Sequence, residues 1–385
     1  MQTDYTVLAP GPVNLHPRVR EALALPMIHH RTPEFDKILR RALAQLQRVF
    51  QTTQPAYILT ATGSGGMESL LVNVLSPGDE VLGIDSGKFG ERWCDMVTAF
   101  GAKLERLKVP WGQAVSVAAV EAHLKAHPQT RAVICQACET STGVVHPVQE
   151  LGALIHNYPS TLFLVDAITA LGAMELPMDA WHLDGVVGGS QKAFMLPTGL
   201  SFVSFSAKAW ARVATAETPR FYFDIRLEDK ANRNGETFFS SNVSLIRALD
   251  VSLELVFAKG WSQHLRDIQT RARFVREFGQ KLGLRLYAQA PSDSVTALLV
   301  PTGVDSQKLR LNLETQHHIT IMGGQDQAKG KIIRVGHMGD ISWSQMQQFF
   351  LALRTELLAL HPDLPMPTRE ALTQAMQDWI HHAAL

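Results

Sequence analysis

Only three cysteines, Cys94, Cys135 and Cys138, occur in 385 residues. They are too few for a disulfide framework, and they point to a reducing compartment, the cytoplasm. They are also too few and too scattered for a clustered redox metal centre. Cys135 and Cys138 stand as C-x-x-C, but a zinc site needs two further ligands at compatible spacing. Cys135 also ends the apolar run Ala132-Val133-Ile134, so both are read as ordinary buried thiols and no metal is expected. An excess of one charge is lacking too: 36 basic side chains balance 36 acidic ones, and no block of like charge occurs. Nothing therefore suggests a nucleic-acid or anionic-membrane surface. No apolar run reaches the roughly 18 residues of a membrane span. The opening stretch, Met1 to Pro12, does not have the pattern of a signal peptide. Internal repeats and low-complexity segments are also missing. The His29-His30, His317-His318 and His381-His382 pairs are sequence neighbours that point in different directions on a helix or strand, which disfavours a shared metal.

What is present is 46% apolar residue content, enough for large cores and for about two domains at roughly 100–200 residues each. Glu34 to Phe50 has a helical apolar face of Phe35, Ile38, Leu39, Leu43, Leu46 and Phe50. Strands are then expected at Ala56–Leu59, Glu80–Ile84, Lys103–Val109, Ala132–Ile134, Thr161–Val165, Gly185–Val187 and Gly199–Phe205. Helices fall between them, at Glu91–Phe100 and Val148–His156 among others. This alternation predicts a mainly parallel, doubly wound α/β sheet, with ligands beyond the carboxyl ends of its strands. Long helices (Leu245–Phe257, Gln263–Leu282) lead into a smaller α+β unit. Its strands are expected near Ala297–Val300, Ile319–Met322 and Ile332–Val335, with a helix at Ser344–Leu358. The expected division is an extended N-terminal segment (1–20), a large domain (21–257), a small C-terminal domain (258–360) and an appended helical tail (361–385).

The most informative residue is Lys192, in Gly188-Gly189-Ser190-Gln191-Lys192 after the apolar run Gly185-Val186-Val187. The preceding strand-like run, Thr161 to Val165, ends in Asp166. A lysine past one strand and a carboxylate ending the previous one are what pyridoxal phosphate chemistry needs. The lysine holds the cofactor as a Schiff base, and the aspartate pairs with the pyridine nitrogen. Thr60 to Glu68, containing Thr62, Gly63 and Ser64, joins a strand to a helix. It is either a phosphate cradle or a flexible turn. Phe89, in Ser86-Gly87-Lys88-Phe89-Gly90, either stacks on a flat ring or belongs to the core. Glu139 to Gly143 offers hydroxyls at the same sheet edge, or is a turn. Arg334 is a charge within an apolar strand. It suits a substrate carboxylate, or else an internal ion pair. His30, in His30-Arg31-Thr32, lines the pocket or lies in a surface turn.

Taken in order, several segments resemble the class V aminotransferases, and within them the alanine–glyoxylate and serine–pyruvate group of bacteria and cyanobacteria. They are Pro10-Gly11-Pro12, Gly87 to Arg92, Glu139 to Gly143, the Asp166-ended strand, Gly189 to Lys192, and Gly323-Gly324 ahead of Arg334. The resemblance spans roughly residues 8 to 358. It implies a fold type I transferase, with Lys192 as the Schiff-base lysine and Asp166 as the pyridine partner. Phe89 takes the stacking place, often tryptophan in relatives. Thr62, Gly63, Ser64 and Gln191 hold the phosphate, Thr140 lies near the ring, and Arg334 binds the substrate carboxylate. Relatives carry a Thr-Pro step before the long helix, where the threonine reaches the partner subunit's phosphate. Here Ser240 falls at that place, with no proline. The Glu139 to Gly143 stretch follows Gln136-Ala137-Cys138 rather than the His-Gly or His-Ser of many relatives. The implied activity is ping-pong transfer from a small amino acid, alanine or serine, to glyoxylate or pyruvate in a homodimer. The competing readings are a class V desulfurase or lyase, and a non-catalytic subunit of the kind labelled small subunit of a soluble hydrogenase. A desulfurase presents a late cysteine, and none follows Cys138. Phe221-Tyr222-Phe223 and Phe238-Phe239, bracketing a polar, loop-like stretch from Arg226 to Gly235, suggest an interface.

Overall fold

The computed structural model describes residues 5–383. The first four residues of the N-terminal segment and the last two of the tail lie outside the described residues.

The large sheet is built from strands β1 (Ala56–Leu59), β2 (Glu80–Asp85), β3 (Lys103–Lys108), β4 (Ala132–Gln136), β5 (Leu162–Asp166), β6 (Gly185–Gly189) and β7 (Ser201–Phe205). Their order across the sheet is β1-β7-β6-β5-β4-β2-β3. β7 alone is antiparallel to both its neighbours, so the other six strands run one way. β4, β5 and β6 are buried along their whole length. This is the reason that they read as continuous apolar runs rather than as alternating patterns. β3 lies at an edge and carries Lys103, Glu105, Arg106 and Lys108, charges that discourage pairing with another sheet.

Apolar layers cover both faces. One includes Leu39, Leu46, Phe163, Phe202 and Leu249. The other includes Leu70, Leu71, Trp93, Val187 and Val203. Helix α1 (Pro33–Phe50) turns Phe35, Ile38, Leu39 and Leu46 inward. It begins where Thr32 accepts the Phe35 N–H (3.3 Å), with Pro33 at the first helical position.

A second, antiparallel sheet contains β8 (Arg285–Leu286), β9 (Val295–Leu299), β10 (Met322–Gly323) and β11 (Ile332–Gly336), in the order β8-β9-β11-β10. Its core of Phe274, Phe278, Phe349, Phe350 and Leu353 comes largely from the helices Trp261–Lys281 and Trp343–Leu360. The tail helix Arg369–Ala383 closes this core with Leu372 and Met376, and Trp379 Nε1 donates to Glu277 (2.6 Å). The extended N-terminal segment also belongs structurally to this side. Thr6–Val7 pairs in parallel with Ile319–Thr320.

Five local expectations change. The N-terminal segment, expected to be extended through residue 20, turns helical at Pro17–Ala24, where His16 accepts the Arg18 N–H (3.2 Å) and Pro17 takes the first helical position. The helix expected from Glu91 starts at Lys88, because its first N–H groups are capped by residues some 50 positions later, described below. The strand expected at 199–205 begins at Ser201, and Ile319–Met322 splits into two short strands around the buried Ile321. The stretch Arg226 to Gly235, read as loop-like, is largely helical, Ile225–Arg233. Asp224 caps it by accepting the Arg226 N–H (3.1 Å). Among the described residues, no helix is long and apolar enough to cross a membrane.

Candidate active site

A cavity of about 290 Å³ opens beyond the carboxyl ends of β4, β5 and β6 and against the start of helix α2 (Gly63–Val74). Thr62, Gly63, Ser64, Phe89, Thr140, Asp166, Gln191 and Lys192 all line it. The structure thus brings together eight of the residues singled out from sequence, contributed by five separate segments.

Each wall has a local cause. Helix α2 starts at Thr62, whose side chain makes no cap bond, and its first internal bond runs from the Gly66 N–H to the Thr62 carbonyl (3.2 Å). The helix sits close on the sheet because Gly66 lacks a Cβ. One built there would lie 2.0 Å from Ser201 Oγ and 2.6 Å from Val187. An uncapped helix start facing a cavity is a place for an anion. Gln191 Oε1 is buried with no hydrogen-bond partner, an orphan that a ligand would satisfy.

Lys192 is buried, and Nζ donates to the Pro10 carbonyl (2.8 Å). Gly11 permits this approach, since a Cβ there would fall 2.5 Å from Nζ. Burial, and secondarily the nearby Arg334 charge, push the Lys192 ammonium down to about 8. Asp166 is buried and accepts the Ile168 N–H (2.9 Å). Desolvation pushes its carboxyl up to about 7. A buried acid held so high needs a cation, and a protonated pyridine is one.

Thr140 shares a hydrogen bond with Thr169 (2.6 Å), and its carbonyl accepts from Arg334 Nη1 (2.9 Å). Arg334 Nε donates to the Gly323 carbonyl (2.9 Å). Both recorded bonds of this buried guanidinium go to backbone oxygens, so it forms no internal ion pair among the described residues. Desolvation lowers it to about 10, and Glu139 pulls the other way. Phe89 is half-buried at the cavity wall rather than in the core.

His30 and Ser240 lie outside this cavity in their own chain. His30 stacks on His29 at 4.4 Å, and Ser240 is exposed ahead of the helix Val243–Ala258. An ion pair between Arg31 and Glu236 ties the two segments that carry them. The sequence reading missed Met67, Arg92, Ile168 and Thr169, which also line the cavity. Arg92 was legible in principle, one turn after Phe89; its guanidinium lies 5.1 Å from that ring. The Pro10 carbonyl carried no side-chain signal at all. The buried Ser86–His146 contact (2.8 Å) is not a nucleophile and base. Val115 N–H donates to His146 Nδ1 (3.1 Å), so Nε2 holds the proton. The three cysteines are free and buried.

A helix start for an anion, an acid wanting a ring cation, and a desolvated lysine define a pyridoxal-phosphate-dependent enzyme of the doubly wound type. The comparisons reach the same class. The family model for aminotransferase class V matches residues 19–342. The "Soluble hydrogenase, small subunit" of Synechococcus sp. is 37% identical, covering 88% of this chain and 89% of its own. The L-aspartate–glyoxylate aminotransferase of Paracoccus denitrificans is 36% identical over 89% of this chain and 88% of its own. The crystal structure of ureidoglycine–glyoxylate aminotransferase from Bacillus subtilis superposes with a TM-score of 0.93, at 25% identity and 99% coverage of both chains. The chain belongs to the class V aminotransferase family. It is a transaminase, and its cofactor is pyridoxal phosphate.

Proposed function

We propose that this transaminase moves the amino group of alanine or serine to glyoxylate or pyruvate by a ping-pong route. One observation carries the reading: Lys192 and Asp166 are buried in one cavity, and the buried Arg334, bonded to the carbonyl of cavity-lining Thr140, has only backbone partners among the described residues. Bound pyridoxal phosphate supplies an aldehyde carbon that condenses with amines and an electron-poor ring that accepts the electron pair released at Cα. Lys192 Nζ would hold the cofactor and, as the neutral amine, would move the proton at the substrate Cα. Its lowered pKa, about 8, leaves part of it neutral at neutral pH for this task. Asp166 would pair with the ring nitrogen, and Phe89 and Thr140 would hold the ring. Thr62, Gly63, Ser64 and Gln191 would take the phosphate. Arg334 would bind the substrate carboxylate through a charge-assisted contact. Dimerisation brings the paired segments of His30 and Ser240 towards the neighbour's cavity, with Ser240 offering its hydroxyl to the phosphate there.

A small neutral donor is favoured because, among the described residues, Arg334 is the one buried guanidinium beside the site that is not tied to a carboxylate. A second reading, aspartate as donor, is carried by Arg92, which lines the cavity and forms none of the ion pairs among the described residues. The test is a donor screen of alanine, serine, aspartate and glutamate against glyoxylate and pyruvate. Alanine or serine should give the highest kcat/KM. A higher value for aspartate, lost in Arg92→Ala, would replace the first reading with the second.

A further inference from the structure

Helix α3 (Lys88–Ala99) carries Phe89 in its first turn and starts from Gly87, which has no side chain to cap it. Its orphan N–H groups are satisfied from a distant turn. The Lys88 N–H donates to Ser141 Oγ (3.1 Å). The Phe89 and Gly90 N–H groups donate to Glu139 Oε2 (3.2 and 2.9 Å). The other oxygen, Oε1, accepts the Ser141 N–H (3.0 Å) and hydroxyl (2.6 Å). The carboxylate is wholly buried, and no salt bridge balances it among the described residues. Gly87 is what admits it, since a Cβ there would lie 2.5 Å from Ser141 Oγ and 2.6 Å from Glu139 Cδ.

Burying a carboxylate without an ion pair is costly, and N–H donors at a helix start are among the few arrangements that offset the cost. Between the two acceptor residues lies Thr140, whose hydroxyl meets Thr169 and whose carbonyl meets Arg334. One anion therefore braces the aromatic wall, the hydroxyl wall and the guanidinium together.

We infer that Glu139 is a positioning residue of the transaminase, fixing Phe89 against the cofactor and, through the Thr140 carbonyl, Arg334 against the substrate. The inference rests on the proposed roles of Phe89 and Arg334. Glu139 touches neither cofactor nor substrate in this arrangement. An amide cannot replace it. Glutamine offers one acceptor oxygen where donors approach from both sides, and its NH₂ would face N–H groups.

The test uses holoenzyme in three variants: Glu139→Gln, Ser141→Ala, and Leu372→Ala in the tail helix as a stability control. The readouts are the visible circular dichroism of bound pyridoxal phosphate, its Kd, and Tm. For Glu139→Gln the visible band should fall by about half or more, and Kd should rise roughly ten- to hundredfold, the scale of lost charge-assisted bonds. Ser141→Ala should move both the same way by less, and carries the test alone if Glu139→Gln does not accumulate folded. Leu372→Ala should lower Tm with both cofactor readouts intact. Unchanged band and Kd in Glu139→Gln and Ser141→Ala, beside a normal wild-type band, would overturn the inference alone. So would equal changes in the control at equal loss of Tm. A wild-type protein without the visible band would overturn the cofactor roles and the inference with them.

Discussion

Lys192 and Asp166 are two ionisable groups whose burial works in opposite directions. Asp166 is raised to about 7, so its folded state favours the protonated form. Stability from this group is present at low pH and is lost as pH rises from about 4 to about 7. Lys192 is lowered to about 8, so its folded state favours the neutral amine. Its penalty is full below about 8 and vanishes towards its ordinary value. Both penalties are therefore full together only between about pH 7 and 8. The gain in Tm on adding pyridoxal phosphate to cofactor-free protein should peak in that window, measured by thermal melts with and without cofactor from pH 5 to 10. A gain that is flat across pH would mean the two groups do not share the cofactor. Lys192→Ala should retain weak cofactor binding and lose at least about 10³-fold in turnover, the scale of a general base. Single-turnover absorbance with excess alanine would show it. Arg334→Ala should cost about 2–5 kcal/mol in kcat/KM for amino acids. An unchanged kcat/KM would make the arginine structural.

At the scale of elements, chain order and local chemistry made much legible. β4, β5 and β6 announced themselves as apolar runs, and their ends delivered Asp166 and Lys192. What stayed hidden depends on partners distant in sequence. The start of helix α3 was misplaced because its cap is Glu139, and the helix after Asp224 was masked by the polar face it shows to solvent. The Pro10 carbonyl is a backbone atom, and no residue type reports it. Gly66 makes a prediction at this scale. Gly66→Val would drive a side chain into Ser201 and Val187, lifting the start of helix α2 from the sheet. Overpacking of this kind costs about 1–3 kcal/mol, and phosphate affinity should fall with it. Equilibrium dialysis with pyridoxal phosphate and a denaturant melt would read both. A stable variant with unaltered affinity would detach the helix start from the phosphate.

For the whole molecule, the aromatic surface gives the clearest expectation. Phe221 is 71% exposed and Tyr222 46%, with Tyr222 stacked on Phe239 at 4.6 Å. Tyr222 also donates to the Thr60 carbonyl (3.1 Å), beside the start of helix α2. Exposed aromatics in such density mark an interface. Sedimentation at micromolar concentration should show a dimer or a multiple of it, and Phe221→Asp should yield monomer with weakened cofactor retention. A cofactor-loaded, fully active monomer would remove the role given to Ser240.

The extended segment at the N-terminal end also acts as a mechanical tether. Leu8 N–H donates to the Thr320 carbonyl (2.8 Å), and the Gly336 N–H donates back to the Leu8 carbonyl (2.7 Å). Leu8 is thus stitched between the short Ile319–Thr320 strand on one side and Gly336, the last residue of β11 in the small sheet, on the other, and two residues later the Pro10 carbonyl holds the amine of Lys192. Any tilt of the small sheet tugs that grip across two residues of backbone, too short a leash to absorb the motion. Arg334 rides on the same sheet. In the proposed reaction, engaging a carboxylate at Arg334 and loosening Lys192 would therefore be geared to one movement, with slack measured in single residues.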